Sequence, residues 1–214
     1  MTHHSTPHLR ILHAVRLLGF AAAPAIARHA GADDRDTAHT LADAERRGWV
    51  QHVAFADLDG WSLTDDGKTE NERQLAAERA VADPAGAVAA VHRDFLPLNA
   101  RLVEAVTDWQ IAPTADDRLA VNDHTDPARD AGVLRELAAL GTALRPLNAR
   151  LTEVLSRFDG YAGRFDSALR RAGAGQTDWV DKTHVDSCHR VWFQLHEDLV
   201  ATLGIDRRAE TGPG

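Results

Sequence analysis

The sequence is poor in cysteine and lacks long apolar runs. Cys188 is the only cysteine among 214 residues, which excludes a disulfide framework and any zinc site built from several thiolates. No apolar run approaches the roughly 20 residues that a membrane-spanning helix needs. The first residues also lack the apolar segment of a secretory signal. These absences predict a cytoplasmic protein with no membrane partner.

The local motifs of the common enzyme classes are also missing. The chain contains no P-loop, no GxGxxG fingerprint, no HExxH zinc helix and no GxSxG elbow. Enzymes without such local motifs are not excluded by this absence. The sequence therefore predicts no catalytic residue and no cofactor.

Basic residues are fewer than acidic ones. The chain has 24 Lys and Arg, of which two are lysines, against 32 Asp and Glu, and its formal net charge is −8. Because phosphate neutralisation supplies most non-specific affinity for nucleic acid, this balance disfavours binding to DNA, and the local architecture must outweigh it in a DNA-binding protein. Hydrophobic residues make up 44% of the chain, enough for the core of one large domain or two small ones.

The first part of the chain, residues 1–82, has the pattern of three short helices. Apolar residues at helical spacing predict a helix from Leu9 to Gly19, an alanine-rich helix over 21–30 and a third helix over 34–47. Glycines follow each of them, as is common at helix ends.

A β-hairpin signal follows the third helix. β-Branched and aromatic residues over 49–55 predict one strand, Asp57–Gly60 the turn, and 61–64 the returning strand. Thr64 is the expected N-cap of the next helix. Three helices, a hairpin and a further helix are the element order of a winged helix-turn-helix.

These segments resemble the MarR-type winged-helix regulators. In that family a leucine-containing helical run ends in Gly-hydrophobic-Val before the wing, and a hydrophobic-Leu-Thr-x-x-Gly run closes the wing. The matching stretches here are Leu12–Gly19, residues 25–31, Leu41–Val50 and Trp61–Lys68. The resemblance covers residues 8–80 and implies a transcriptional regulator that binds DNA.

The second part, residues 83–207, is predicted to be an all-helical bundle, followed by a disordered tail over 208–214. It contains an internal repeat, in which Pro97–Glu104 and Pro146–Glu153 differ at one position. Proline at the first helical position predicts that a helix begins at each copy. Two copies indicate a pseudo-symmetric pair of helices in one bundle.

The second part resembles the helical domain of actinobacterial proteins that carry such a domain after a winged helix, which implies a transcriptional regulator. Residues 107–110, 122–124 and 186–198 carry this likeness. The expected fold class is therefore mainly α, with an N-terminal winged helix-turn-helix and its small β-hairpin wing, followed by the all-α bundle.

The third helix is the predicted recognition helix, because a groove-reading helix needs exposed donors on its first turns and positive charge for phosphates. The predicted DNA-binding residues are Arg35, His39, Thr40, Arg46 and Arg47 on this helix and His52 on the hairpin. Residues 33–47 also hold five acidic residues, and residues 1–82 have a net charge of −3 without histidine. A winged helix that serves as a dimerisation or docking scaffold is the alternative.

The last helix is predicted to carry a ligand site. Taken at about 100° per residue, Val185, His189, Trp192, His196, Leu199 and Leu203 share one face. Two imidazoles beside an indole suit a planar ligand with a carboxylate or carbonyl. The alternative is that His189 and His196 border the core and bond to neighbouring carbonyls.

The groups predicted to lie opposite that face come from the end of the first repeat helix and from the long loop 111–126. A loop of this length is often functional. The predicted opposing ligand-binding residues are Asp108, Trp109, Asn122, Asp123 and His124.

A metal site is a weaker alternative for the same region. His184 and Cys188 lie four residues apart, as two ligands on one helix face would, and Asp108, Asp123 or Asp181 would add a carboxylate. No second ligand pair accompanies them, so no metal is predicted.

The sequence is thus interpreted as a cytoplasmic, homodimeric regulator whose N-terminal part binds DNA and whose helical part dimerises and senses a small molecule. The rival interpretation is an enzyme, or a small-molecule-binding or metal-binding protein, with its site in the helical part and a winged helix used only for docking.

Overall fold

The computed structural model describes residues 2–55 and 58–205, and it shows a mainly helical chain with one β-hairpin. The predicted tail at 208–214 and the hairpin residues 56–57 lie outside the described residues. The elements are α1 Pro7–Leu18, α2 Ala23–Ala30, α3 Asp34–Arg46, β1 Val50–Phe55, β2 Leu58–Leu63, α4 Asp65–Ala82, α5 Ala87–Gln110, α6 Pro127–Val154, a 3₁₀ helix Ser156–Phe158, α7 Tyr161–Gly173, α8 Asp178–Asp181 and α9 Cys188–Leu203. Within the described ranges, every helix is too short or too polar to cross a membrane.

The chain divides into two compact units. Within the described residues, the first consists of 2–55, 58–85, Val154–Arg157 and 196–205, and the second of Gly86–Glu153 and Phe158–Leu195. Two segments from the second half of the chain therefore belong to the first unit, and α9 contributes residues to both.

The three predicted N-terminal helices and the hairpin that follows them are confirmed. Gly19 and Gly31 follow α1 and α2 with positive φ, which glycine adopts without steric cost. Asp33 caps α3, because its side chain accepts a 2.7 Å hydrogen bond from the Asp36 backbone N–H. The apolar faces of the three helices form the core of this region, with Ile11, Leu12, Val15, Ile26, Leu41 and Val50 buried.

The predicted hairpin turn at Asp57–Gly60 was wrong. β2 already begins at Leu58, and Gly60 pairs with Val53 inside the ladder. A Cβ at Gly60 would lie 2.6 Å from the ring of Phe20. The glycine therefore makes room for an aromatic ring, and the Asp-Gly pair that resembled a turn signal lies within a strand.

A backbone bridge joins the hairpin to the segment between α1 and α2. Ala21 and Trp61 exchange two hydrogen bonds, of 3.1 Å and 2.9 Å, in antiparallel geometry. Ala21 thus pairs with β2, whose residues also pair with β1. This second pairing of β2 could not be predicted from the sequence, because a single bridged residue leaves no alternating pattern.

A backbone hydrogen bond holds the start of α4 next to Trp49, the residue before β1. Thr64 caps the helix as predicted, accepting from the Gly67 backbone N–H at 3.0 Å. The Thr64 N–H in turn donates to the Trp49 carbonyl at 3.1 Å. A Cβ at Gly67 would lie 1.7 Å from that carbonyl oxygen, so only glycine fits there.

In the second unit, the predicted helix starts at Pro97 and Pro146 were wrong. Both prolines lie inside long helices, α5 and α6, which begin well upstream of them. An internal proline removes one backbone hydrogen bond and disfavours the helix. Burial of residues on both sides of each proline, such as Phe95 and Leu102 in α5, holds the helix continuous across it.

Asn99 and Asn148, which occupy matching positions in the two repeat copies, both hydrogen-bond to other polar groups. Asn148 donates to the Phe158 carbonyl at 2.6 Å and accepts from the Ala162 N–H at 2.9 Å. Asn99 accepts a 3.1 Å bond from the Trp192 indole N–H.

Candidate functional site

The exposed face of α3 presents two of the predicted DNA-binding side chains. Arg35 and His39 are exposed and lie four residues apart, so they share one face near the start of the helix. Thr40 is buried, with 9% of its surface exposed. Its hydroxyl is therefore turned away from the surface that Arg35 and His39 share.

Arg46 and Arg47 both pair with the same carboxylate on α3. Each guanidinium lies 2.9 Å from Asp43, and that of Arg47 also lies 5.0 Å from the centre of the Trp49 ring. Both arginines are exposed. Exposed pairs of this kind contribute about 0–1 kcal/mol, so a phosphate can replace Asp43 as their partner at little cost.

The hairpin offers a histidine and apolar side chains, and residues 49–64 contain neither Lys nor Arg. His52 stacks on Trp61 with 4.5 Å between ring centres, and its Nε2 lies 2.7 Å from the Asp59 carboxylate. Towards the end of the hairpin, Phe55 is 77% exposed and Leu58 is 57% exposed. Among the described residues of the hairpin, His52 is thus the single side chain that can become a cation.

A buried ionic cluster in the first unit was not predicted from the sequence. We call it the Arg157 cluster, and it consists of Arg157, Glu78, Asp198, His13, Asn71 and Thr202. Arg157 donates to Glu78 at 3.1 Å, to the Thr202 hydroxyl at 2.6 Å and to Asp198. His13 Nδ1 lies 3.2 Å from Asn71 Oδ1, and its Nε2 lies 3.0 Å from Asp198.

The Arg157 cluster is almost fully shielded from solvent. The Asp198 side chain is 1% exposed, and those of Arg157 and Glu78 are each 5% exposed. Burial raises the pKa of Asp198, but the charges of Arg157 and His13 outweigh it and hold that pKa well below its ordinary value. Because the residues of the Arg157 cluster lie far apart in the sequence, no local sequence motif predicts it.

The predicted ligand face of α9 is mostly core. Trp192 is 1% exposed and packs on Phe95 and Phe165, with ring centres 4.9 Å and 5.6 Å away. His189 and His196 are half-buried, and His196 belongs to the first unit. The Trp192 indole therefore packs inside the second unit and does not line an open pocket.

Two carboxylates near the predicted ligand face of α9 form ion pairs. Asp186 forms a two-bond pair with Arg164, at 2.8 Å and 2.6 Å. Glu197 accepts from Arg16 Nε at 2.8 Å. Both carboxylates therefore take part in ion pairs.

The alternative metal pair does not form on a helix face. α9 begins at Cys188, so His184 lies outside it, with its Nε2 3.3 Å from Asp178. Cys188 is buried, and burial raises the pKa of its thiol to about 12. Across residues 2–55 and 58–205, no three His, Cys, Asp or Glu side chains lie close enough to hold a metal ion.

The long-loop residues predicted to bind ligand contact one another at the end of α5. The His124 ring packs on Trp109 with centres 4.4 Å apart, and its Nδ1 lies 3.0 Å from Asp130. Asn122 is buried and donates to the Trp109 carbonyl at 3.0 Å. Asp123 is exposed and accepts from Thr125. These contacts hold the loop on α5 and the start of α6.

Asp108 belongs instead to an open groove between α5 and α6. The groove has a volume of about 430 Å³ and is lined by Arg101, Glu104, Ala105 and Asp108 from α5 and by Arg129, Gly132, Val133 and Glu136 from α6. In each helix the lining positions are i, i+3, i+4 and i+7, one face of a helix. Sequence reasoning missed the groove, although this shared spacing of charged and small residues was visible in the chain.

Comparison with known proteins gives no further guide to the site: no family model, no curated protein and no solved structure matches this chain.

Proposed function

We propose that this protein is a DNA-binding transcriptional regulator of the winged helix-turn-helix type, similar to the MarR-type regulators. The observation that carries the proposal is the backbone bridge between Ala21 and Trp61. It adds one bridged residue, between α1 and α2, to the two-stranded hairpin after α3. A winged helix has a helix, a short β segment, two helices and two returning strands in that order, and Ala21 lies at the place of the short β segment.

In this proposal α3 enters the major groove. Arg35 and His39 lie on its first turns, where the side chains of a recognition helix meet base edges. Arg46 and Arg47 at its end exchange Asp43 for a phosphate. His52 on the hairpin is the remaining predicted contact.

The net negative charge of residues 1–82 predicts how the affinity for DNA depends on salt concentration. Residues 1–82 carry nine basic and twelve acidic side chains, so few phosphates are neutralised on binding. The slope of log affinity against log salt scales with that number, at about 0.9 per phosphate. We therefore expect a shallow salt dependence and an affinity that depends on base contacts from α3.

A homodimer and an effector complete the proposed mechanism. Recognition helices of this type usually bind two half-sites one helical turn apart, which requires a two-fold partner. A small molecule in the helical part would favour one of two spacings of the paired helices and so change the affinity for DNA. Sedimentation at micromolar concentration should therefore give twice the 23.3 kDa chain mass; a species of single chain mass would contradict the dimer.

A mobility-shift titration with the DNA flanking the gene tests DNA binding. Wild type should shift its own upstream fragment at low ionic strength, and the double variant Arg35→Ala with His39→Ala should lose that shift while keeping its helical circular dichroism. Arg93→Ala, which removes an exposed arginine from α5 in the second unit, is the matched control and should bind like wild type.

A second candidate function is suggested by the hairpin. Its exposed Phe55 and Leu58 and its lack of Arg and Lys suit contact with a protein better than contact with phosphate. In that case the first unit docks on a partner protein, and a small molecule binds in the helical unit. The mobility-shift titration distinguishes the two candidate functions, because a protein-docking module should shift no DNA fragment.

A further inference from the structure

We propose that the groove between α5 and α6 binds a small organic cation, an aliphatic amine or guanidinium that carries a short apolar stem. The inference rests on the proposed function, since it names the ligand class and the place of the sensing role assigned there to the helical unit. Both helices lie in the second unit, so the site is complete within it.

Two ion pairs join α5 and α6 within the lining of the groove. Arg101 on α5 donates to Glu136 on α6 at 2.7 Å. Arg129 on α6 donates to the Asp108 carbonyl at 3.2 Å, and its guanidinium lies 3.6 Å from the Asp108 carboxylate. Each arginine therefore has a carboxylate partner inside the lining.

The fifth charged group of the lining has no such partner. Glu104 lies on α5 between the two pairs, and within the part of the chain that the structure describes its carboxylate forms no hydrogen bond or ion pair. With three carboxylates against two guanidinium groups, the lining carries a formal charge of −1. One positive charge on a ligand would neutralise it.

The floor of the groove is apolar and small. Ala105 is 3% exposed and Val133 is 6% exposed, and Gly132 lies beside Val133 on α6. A Cβ at Gly132 would meet only the Arg135 guanidinium, at 3.8 Å, so the space above this glycine is open. An alkyl stem can lie on this floor while its cationic end reaches Glu104. A volume near 430 Å³ is within the usual range for a small-molecule site.

The internal repeat provides a matched control. Glu104 and Glu153 are the last residues of the two repeat copies, and both are exposed near the ends of long helices. Glu104 lines the groove, whereas Glu153 does not. Glu104→Gln and Glu153→Gln therefore remove the same charge from similar helical settings, one inside the proposed site and one outside it.

The test is isothermal titration of the full chain with n-butylammonium and n-butylguanidinium, with butanol and butanoate as neutral and anionic controls. The cations should bind at millimolar concentration or below, and at least about tenfold more tightly than either control, because a hydrogen bond to a charged partner is worth about that factor. Glu104→Gln should weaken cation binding about tenfold, whereas Glu153→Gln should leave it unchanged.

A second pair of variants tests the floor. Gly132→Leu should abolish binding by filling the groove, whereas Gly163→Leu, at a helical glycine of α7 with open surroundings, should bind like wild type. Equal binding of butanol or butanoate, no binding of either cation, or full binding by Glu104→Gln or Gly132→Leu would overturn the proposal. These titrations contain no DNA, so their failure is distinct from a failure of DNA binding.

Discussion

Replacement of Arg157 by methionine tests the energetics of the buried cluster most sharply. Arg157 pairs with both Glu78 and Asp198, and all three side chains are at most 5% exposed. Methionine retains much of the arginine stem but removes the guanidinium group from two buried carboxylates. Removing one partner of a buried pair costs about 3–5 kcal/mol, because the remaining charge stays uncompensated.

An exposed arginine pair provides the control. Arg145 bonds Asp166 at 3.1 Å through two nitrogens, and its side chain is 55% exposed. Arg145→Met should cost about 0–1 kcal/mol, the range for exposed pairs. Urea unfolding followed by circular dichroism at pH 7 measures both variants. If the two substitutions cost the same free energy of unfolding, the Arg157 cluster does not stabilise the first unit as described.

The pH dependence of the same variant gives an independent readout. The pKa of Asp198 is depressed in the folded state, so the unfolded chain binds protons first as the pH falls. The contribution of the Asp198 carboxylate to stability is therefore complete at pH values above its unfolded-state pKa of about 4. It is lost below that pH, as the pH falls towards the folded-state pKa. In Arg157→Met the pKa of Asp198 should rise and its contribution should become smaller, because His13 alone then lowers that pKa. Acid unfolding curves of equal shape in both proteins would contradict this.

Two further predictions concern single positions. Cys188 should resist a thiol reagent in the native protein at pH 8, because burial raises its pKa to about 12, and should react once urea unfolds the chain; rapid native labelling would show that it is accessible. Gly67→Ala should cost about 3 kcal/mol or more in urea unfolding, because its Cβ would lie 1.7 Å from the Trp49 carbonyl oxygen, whereas Gly163→Ala on α7 should gain about 0.5–1 kcal/mol. Equal stability of the two alanine variants would contradict the close approach at Gly67.

Local signals predicted the N-terminal elements well. Capping by Asp33 and Thr64 and the glycines after α1 and α2 depend on neighbouring residues alone, so they can be recognised in the sequence. Gly60 misled the turn prediction because its role is set by Phe20, a residue forty positions earlier. The bridge from Ala21 to Trp61 was missed for the same reason.

Contacts between residues distant in sequence also explain the wrong predictions in the helical part. Pro97 and Pro146 are normal helix starts by local preference, yet burial on both sides keeps α5 and α6 continuous through them. The spacing of Trp192 and its neighbouring histidines correctly placed them on one helix. Spacing does not specify what covers a face, and Phe95 and Phe165 cover this indole. The Arg157 cluster depends entirely on long-range contacts.

We propose that α3 contacts base edges of DNA, and a comparison of two DNA fragments tests this contact. Fluorescence anisotropy would compare the affinity for a labelled upstream fragment with that for a shuffled fragment of equal composition, at two salt concentrations. Wild type should prefer the upstream fragment at both, and Arg35→Ala with His39→Ala should bind the two fragments equally, with Arg93→Ala retaining the preference. Equal affinity of the wild-type protein for both fragments, or a preference retained without Arg35 and His39, would contradict the assignment of α3 as the recognition helix.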